Sequence, residues 1–189
     1  MASIDDFKAN LIGGGARANQ FKVTITPPTG IATGLDVRRS SFLCRASALP
    51  GQTLNPIIIP FRGRQIFIAG DRTFDAWTTT VFSDAAWTIR GQLEQWSELM
   101  QDMGEFSTGA SNPSVYYGEA KVTQMDRNDK PINTYTLYQL WPQTIDPIDL
   151  AYDTNDAVME FGVTWRFNYM NSQSGGGKVG GTTYSSPGE

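Results

Sequence analysis

The sequence predicts a mainly β fold: an antiparallel β-sandwich or barrel carrying one α-helix over about residues 83–103. Three observations point there. Residues alternate apolar and polar with a period of two in about seven short segments. Clusters of Pro, Gly, Asn and Asp punctuate those segments at hairpin-like spacing. A single stretch switches to the helical period of 3.6.

The elements follow in order. In "NQFKVTITP", Phe21, Val23 and Ile25 alternate with polar neighbours, the pattern of a half-buried strand, and Pro27-Pro28 ends it. "SSFLCRASAL" places Phe42, Cys44 and Ala46 on one side, and Pro50-Gly51 then turns the chain. "QTLNPIIIPFRGRQIFIAG" holds Pro56 and Pro60, which cannot donate to a ladder, so it reads as edge strand or extended loop. Its Leu54, Ile57, Ile58 and Ile59 suit an interface better than a core strand. The Gly and Pro content of residues 50–63 predicts a segment that is mobile in a free subunit and orders on assembly. "DAWTTTVF" alternates again, with Trp77, Thr79 and Val81 in register.

"SDAAWTIRGQLEQWSELMQDMG" is the helix. Ser83 or Asp84 suits its N-cap and Gly104 its stop. Ala86, Ile89, Leu93, Trp96, Met100 and Met103 form one apolar face, and Gly91 is the weak point, marking a close contact. Strands return in "SVYYGEAKVTQM" and "INTYTLYQLWP", joined through "DRNDKP". In "VMEFGVTWRFNYM", Met159, Phe161, Val163, Trp165, Phe167 and Tyr169 share a face. The closing "SQSGGGKVGGTTYSSPGE" has no core-building composition. The expected organisation is one β domain over 1–171 and a flexible Gly/Ser-rich tail over 172–189.

Composition excludes several kinds of chemistry. The 189 residues contain no histidine and one cysteine, so His-based nucleophile pairs and an intramolecular disulfide are impossible. Cys44 reads as a small buried hydrophobe. The net charge is −4, with no basic block for tight phosphate binding. No apolar run is long enough for a membrane helix, and the acidic N-terminus lacks the order of a signal peptide, so a soluble, cytoplasmically made chain is expected. "SGGGKVGGTT" lacks a Ser or Thr directly after Lys178 and is a poor phosphate loop. Asp71 and Asp75 beside Arg72 resemble an acid–base pair, but the arginine favours both charged forms, the wrong direction for a proton donor. A structural joint explains them better.

The runs "ARANQF", "CRASALPG", "PFRGRQIFIAGDRTFDAWTTTVFSD", "LYQLWPQTI" and "MEFGVTWRFNY", in that order, resemble the tail tube proteins of T4-like contractile-tailed bacteriophages over roughly residues 5–170. The resemblance implies a structural protein with no catalysis, cofactor or metal. It implies rings of six whose inner strands join one continuous barrel. Rings stack into a tube with sheath and baseplate proteins as partners, and pass double-stranded DNA without specific binding or membrane contact. Localisation would be the virion, after synthesis in the host cytoplasm. Related tubes of secretion and bacteriocin systems are the nearest alternative, and a tube-end paralogue is close behind. A monomeric carbohydrate-binding module is the alternative from another class. On this reading Leu54, Ile57, Ile58, Arg62, Arg64, Asp71, Arg72 and Asp75 form a subunit or ring interface. Glu119, Lys121, Thr123, Thr134 and Thr136 are the candidates for a lumen, and the acidic balance suggests a wall that repels DNA.

Overall fold

The computed structural model describes residues 4–10, 16–29, 31, 41, 43–104, 108–152, 157–174 and 177–179. Phe42, most of the segment 30–40 and the chain after 179 lie outside them. The elements are α1 (Ile4–Asn10), β1 (Phe21–Thr26), β2 (Cys44–Ser47), β3 (Gln52–Phe61), β4 (Arg64–Phe74), β5 (Trp77–Phe82), α2 (Thr88–Met100), a 3-10 turn (Pro113–Val115), β6 (Gly118–Met125), β7 (Pro131–Ile145), β8 (Glu160–Arg166), β9 (Tyr169–Ser174) and β10 (Gly177–Val179). All pairings are antiparallel. The expected mainly β class holds, but α1 is a second α-helix beside the one expected, with Asp5 and Asp6 in its first turn, where the helix dipole favours acidic residues.

β7 organises the body. Its first half pairs with β6 on one side and β9 on the other, while its second half pairs with β8. β1 extends the first sheet beyond β6, and β5 then β2 extend the second beyond β8. The bend between them is built by a matched pair of irregularities. Gln139 takes a positive φ of 56°, and the side-chain amide of Asn168 donates to Gln139 Oε1 at 2.7 Å. Each irregularity inserts one residue, so inward positions jump from Leu137 to Leu140 and from Phe167 to Met170. A one-residue insertion flips every later side chain to the other face. Tyr169 therefore points away from the core, against the strict alternation expected of it, and stacks on Tyr138 with ring centroids 4.9 Å apart. Met159, at the other end of that expected face, is also exposed.

One core gathers Val23, Ile25, Ala120, Val122 and Leu137 from the first sheet with Trp77, Phe161, Val163 and Trp165 from the second. Three tryptophans form its centre: Trp165 lies 6.0 Å from Trp77 and 5.6 Å from Trp96, ring to ring. Each indole N–H is satisfied, Trp165 by Thr79 Oγ1 at 2.9 Å, Trp96 by the Tyr116 carbonyl at 2.8 Å and Trp77 by the Ala48 carbonyl at 2.8 Å. A buried indole that kept its donor unpaired would lose much of its packing gain.

α2 starts and stops inside the expected span of 83–103. Residues 83–87 form a turn that places Trp87 in the left-handed region, φ 55°, and the helix opens only at Thr88. Asp84 still contributes, accepting the Thr88 amide at 2.9 Å; burial opposes ionisation of its carboxyl, but hydrogen bonds from Thr88 and Ile89 outweigh that and hold it below its usual range. Ile89, Leu93 and Trp96 are buried as the spacing requires, whereas Ala86 and Met103 lie outside the helix and are exposed. Gly104 is not the stop, since Gln101 already leaves the helix in an extended conformation. Gly91 marks no close contact: a Cβ there meets only Trp87 Cδ1, at 4.0 Å. Gly91→Ala is accordingly expected to stabilise the fold by about 1 kcal/mol through helix propensity, read as a higher midpoint in urea unfolding.

The chain continues in strand past the expected boundary at 171. Asn171–Ser174 pair with β7, and Gly177–Val179 pair back on β9. Polar residues suffice there because backbone groups make the ladder and one face of this sheet is not in the core.

Candidate functional site

Two surfaces stand out. The first is an arm. Among the described residues β3 and β4 pair only with each other, apart from the eight-stranded sheet. Residues 50–63 are therefore not an irregular loop but half of a regular hairpin. Its turn is Arg62-Gly63, with φ 46° and 81°, the two-residue geometry whose twist matches that of paired strands. Opposite Asn55 the ladder carries an extra residue at Gly70-Asp71. Gly70 is required there, since a Cβ would sit 2.7 Å from the Asn55 carbonyl oxygen.

Pairing sorts the arm into two faces. Ile57 faces Ile68, Ile59 faces Ile66 and Phe61 faces Arg64, all on one side. Pro56, Ile58, Pro60, Gln65, Phe67 and Ala69 share the other. Both sides are open: Ile57 is 53% exposed, Ile58 52% and Phe67 63%. A core needs one buried face, so a ladder apolar on both sides is built to be covered. Pro56 and Pro60 sit on the outer edge of β3 as the sequence required.

The predicted interface residues all belong to this arm or its root. Leu54, Ile57 and Ile58 lie on β3, Arg62 in the turn, and Arg64, Asp71 and Arg72 on β4, all exposed. Asp75 sits at the root, beside Gly51. Among the described residues Arg62, Arg64 and Arg72 make no ion pair within the subunit. Arg72 donates instead to Gln52 Oε1 at 2.5 Å across the ladder. Arg62 lies over the Phe61 ring at 5.3 Å. Asp71 and Asp75 stand on exposed backbone with no walls around them, which is no setting for acid–base catalysis.

The second surface is the outward face of the first sheet. Lys22, Thr123, Thr134 and Gln173 form one cross-strand row; Thr24, Lys121, Thr136 and Asn171 the next; Thr26, Glu119, Tyr138 and Tyr169 the third. All five lumen candidates fall on this face, opposite buried Ala120, Val122 and Leu137. Thr123 and Thr134 hydroxyls lie 3.2 Å apart, and Lys121 pairs with Glu119 at 3.0 Å. These twelve positions hold two lysines and one carboxylate. The face is thus near neutral, and the net negative charge of the chain does not come from it.

Cys44 is half-buried against the core. Burial pushes its thiol up to about 11, against a smaller opposing backbone hydrogen bond at Ala46. It is an inert filler rather than a nucleophile. Among the described residues no helix is long and apolar enough to cross a membrane.

A β body with an open polar face and a two-sided apolar arm defines a structural subunit made for assembly. The chain belongs to the phage tail tube protein family, whose model matches residues 16–173. It is 35% identical over 130 residues to the tail tube protein of Enterobacteria phage T4, covering 68% of this chain and 79% of that one. It is 26% identical over 169 residues to the tail tube protein of Serratia phage KSP90, covering 88% and 95%. Its fold is shared with a chain of the anti-feeding prophage baseplate (TM-score 0.63, 13% identity, covering 84% and 95%). It is shared too with a chain of the sheath-tube complex of an extracellular contractile injection system (TM-score 0.60, 10% identity, covering 88% and 97%).

Proposed function

We propose that this chain is the repeating subunit of a contractile phage's tail inner tube. Six copies close a ring, rings stack, and double-stranded DNA passes down the bore. The arm carries this reading: eight large apolar side chains (Leu54, Ile57, Ile58, Ile59, Phe61, Ile66, Phe67 and Ile68) stand exposed on an element with no core of its own. Among the described residues β1 also has no partner on its outer edge along Phe21–Thr26, and β9 none on its outer edge over Tyr169–Asn171. Joining such edges around a ring removes them. Stacking by different surfaces does not close and gives a filament. The phage relatives at 35% and 26% identity favour a phage tube over an injection-system tube. The names of the shared-fold complexes support a sheath and a baseplate as partners. The family supports residence in the virion, after synthesis in the host. The role is structural, without catalysis.

The polar face is the proposed channel wall. Its hydroxyls and amides hydrate a passing duplex, and its near-zero charge releases few counterions, so DNA is not held. Thr136→Lys with Asn171→Lys would add about a dozen charges per proposed ring and is expected to make tubes retain duplex DNA in a steeply salt-dependent way. Equal retention by unmodified tubes contradicts this wall. Arg72→Glu is expected to leave the subunit folded but reduce ring and tube yield, because exposed charges at the arm set register. Unchanged yield removes Arg72 from the joint.

Negative-stain electron microscopy across a concentration series tests the function. Hollow stacked rings are expected. Single particles at every concentration, even with tail baseplates added, contradict it.

A further inference from the structure

A cleft of about 1040 Å³ opens between the end of β5, the start of β8 and the segment after β7. Phe82, Ile148, Leu150, Val158 and Met159 supply its apolar lining. Leu150 is 80% exposed and Val158 69%. Asp149 lines it as well, as do Arg45 and Glu160, which form an ion pair with each other. The segment 146–152 holds Asp146 and Asp149 and no base.

The arm is the complement of this cleft. From Gln52 to Gly70 it carries Arg62 and Arg64 and no carboxylate. Its isoleucine face ends at the tip in Arg64. Position matters equally. The arm joins the body at Phe74, beside Trp77 at the start of β5, and the cleft lies at Phe82, where β5 ends. Five residue steps of strand separate the two by roughly 17 Å. Surfaces at opposite ends of one strand can meet head to tail between copies, and such contacts propagate, as between stacked rings, wherever their rotation does not close.

We propose that the cleft receives the Ile57/Ile59/Ile66/Ile68 face of the arm of a second copy of this chain, with Arg64 reaching Asp149. This is the ring-to-ring joint, and it rests on the stacked-tube reading above. Nonpolar contact supplies the attraction. The single charge pair fixes how far the arm is inserted.

Two experiments test it. In a Cys44→Ser background, Ile59→Cys with Leu150→Cys is oxidised in assembled tubes. A ladder of covalent multimers is expected on non-reducing gels, and none from Thr24→Cys with Leu150→Cys. Tubes that form but give no ladder overturn the joint and leave the tube reading intact. Separately, Arg64→Asp and Asp149→Arg are each expected to lower tube yield tenfold or more, and together to restore it. A double variant no better than the singles overturns the pairing. If the unmodified chain forms no tubes even on baseplates, the tube reading fails. The cysteine pair must then still give covalent dimers of the concentrated soluble chain, or the cleft assignment fails with it.

Discussion

Ile57→Asp combined with Ile66→Lys stops tube growth at concentrations where the parent chain assembles, and leaves the subunit folded. Both side chains lie on the same face of the arm and are exposed in the free subunit, Ile66 at 48%. Neither touches the core, so urea unfolding should shift by no more than about 0.5 kcal/mol. The opposite charges sit diagonally across the ladder, which avoids a like-charge pair that would open the hairpin itself. In a joint each isoleucine is worth about 1.5–3 kcal/mol of burial, and a charge in its place must be desolvated. The combined loss is on the order of 3 kcal/mol or more. That raises the concentration needed for growth by about 100-fold, since each 1.4 kcal/mol is tenfold. Sedimentation of assembled material against total protein reads this directly. Tubes at the parent's concentration would place the arm's isoleucines outside every contact.

Trp165→Ala has the largest effect on folding. Trp165 is fully buried, touches the rings of Trp77 and Trp96, and spends its one donor on Thr79, the only buried polar side chain among the described residues. Truncation leaves a cavity at the junction of the second sheet and α2, and it orphans the Thr79 hydroxyl. A Trp-to-Ala change of this kind costs about 3–5 kcal/mol. Against a total of about 5–15 kcal/mol for a domain, that is enough to leave much of the chain unfolded near body temperature. Thr79→Val isolates the polar part: it keeps the volume and strands the indole N–H, for about 1–3 kcal/mol. Thermal unfolding followed by tryptophan fluorescence separates the two, and a Trp165→Ala midpoint within a degree or two of the parent would contradict the account of the core.

Much of this was legible because periodicity reports burial. Val23, Ile25, Val163 and Trp165 are where alternation places them, and Ile89, Leu93 and Trp96 where a helical face does. The arm was legible as an apolar run broken by Pro56 and Pro60, a pattern no central strand tolerates. Its regular pairing was not, because Pro and Gly content reads as loop until Arg62-Gly63 is recognised as a two-residue turn. The corner at Gln139 and Asn168 was the main loss. Its signal is small: Leu137 to Leu140 and Phe167 to Met170 are spaced by three where two is expected. The face of the lumen candidates was recoverable by parity, but not its charge, since net charge says nothing about where carboxylates lie. Lys22 and Lys121 against Glu119 decide that. The cleft beside Phe82 joins β2, β5, β8 and the segment after β7, residues far apart in sequence, and no local pattern announces it.

The most direct test of the whole account is a cryo-electron microscopy reconstruction of the assembled tube. Thr24, Lys121, Thr136 and Asn171 are expected to line the channel, and the isoleucine face of each arm to be buried against a neighbouring subunit. A tube with that polar face on its outer wall, or with the arms standing free in solvent, would contradict it.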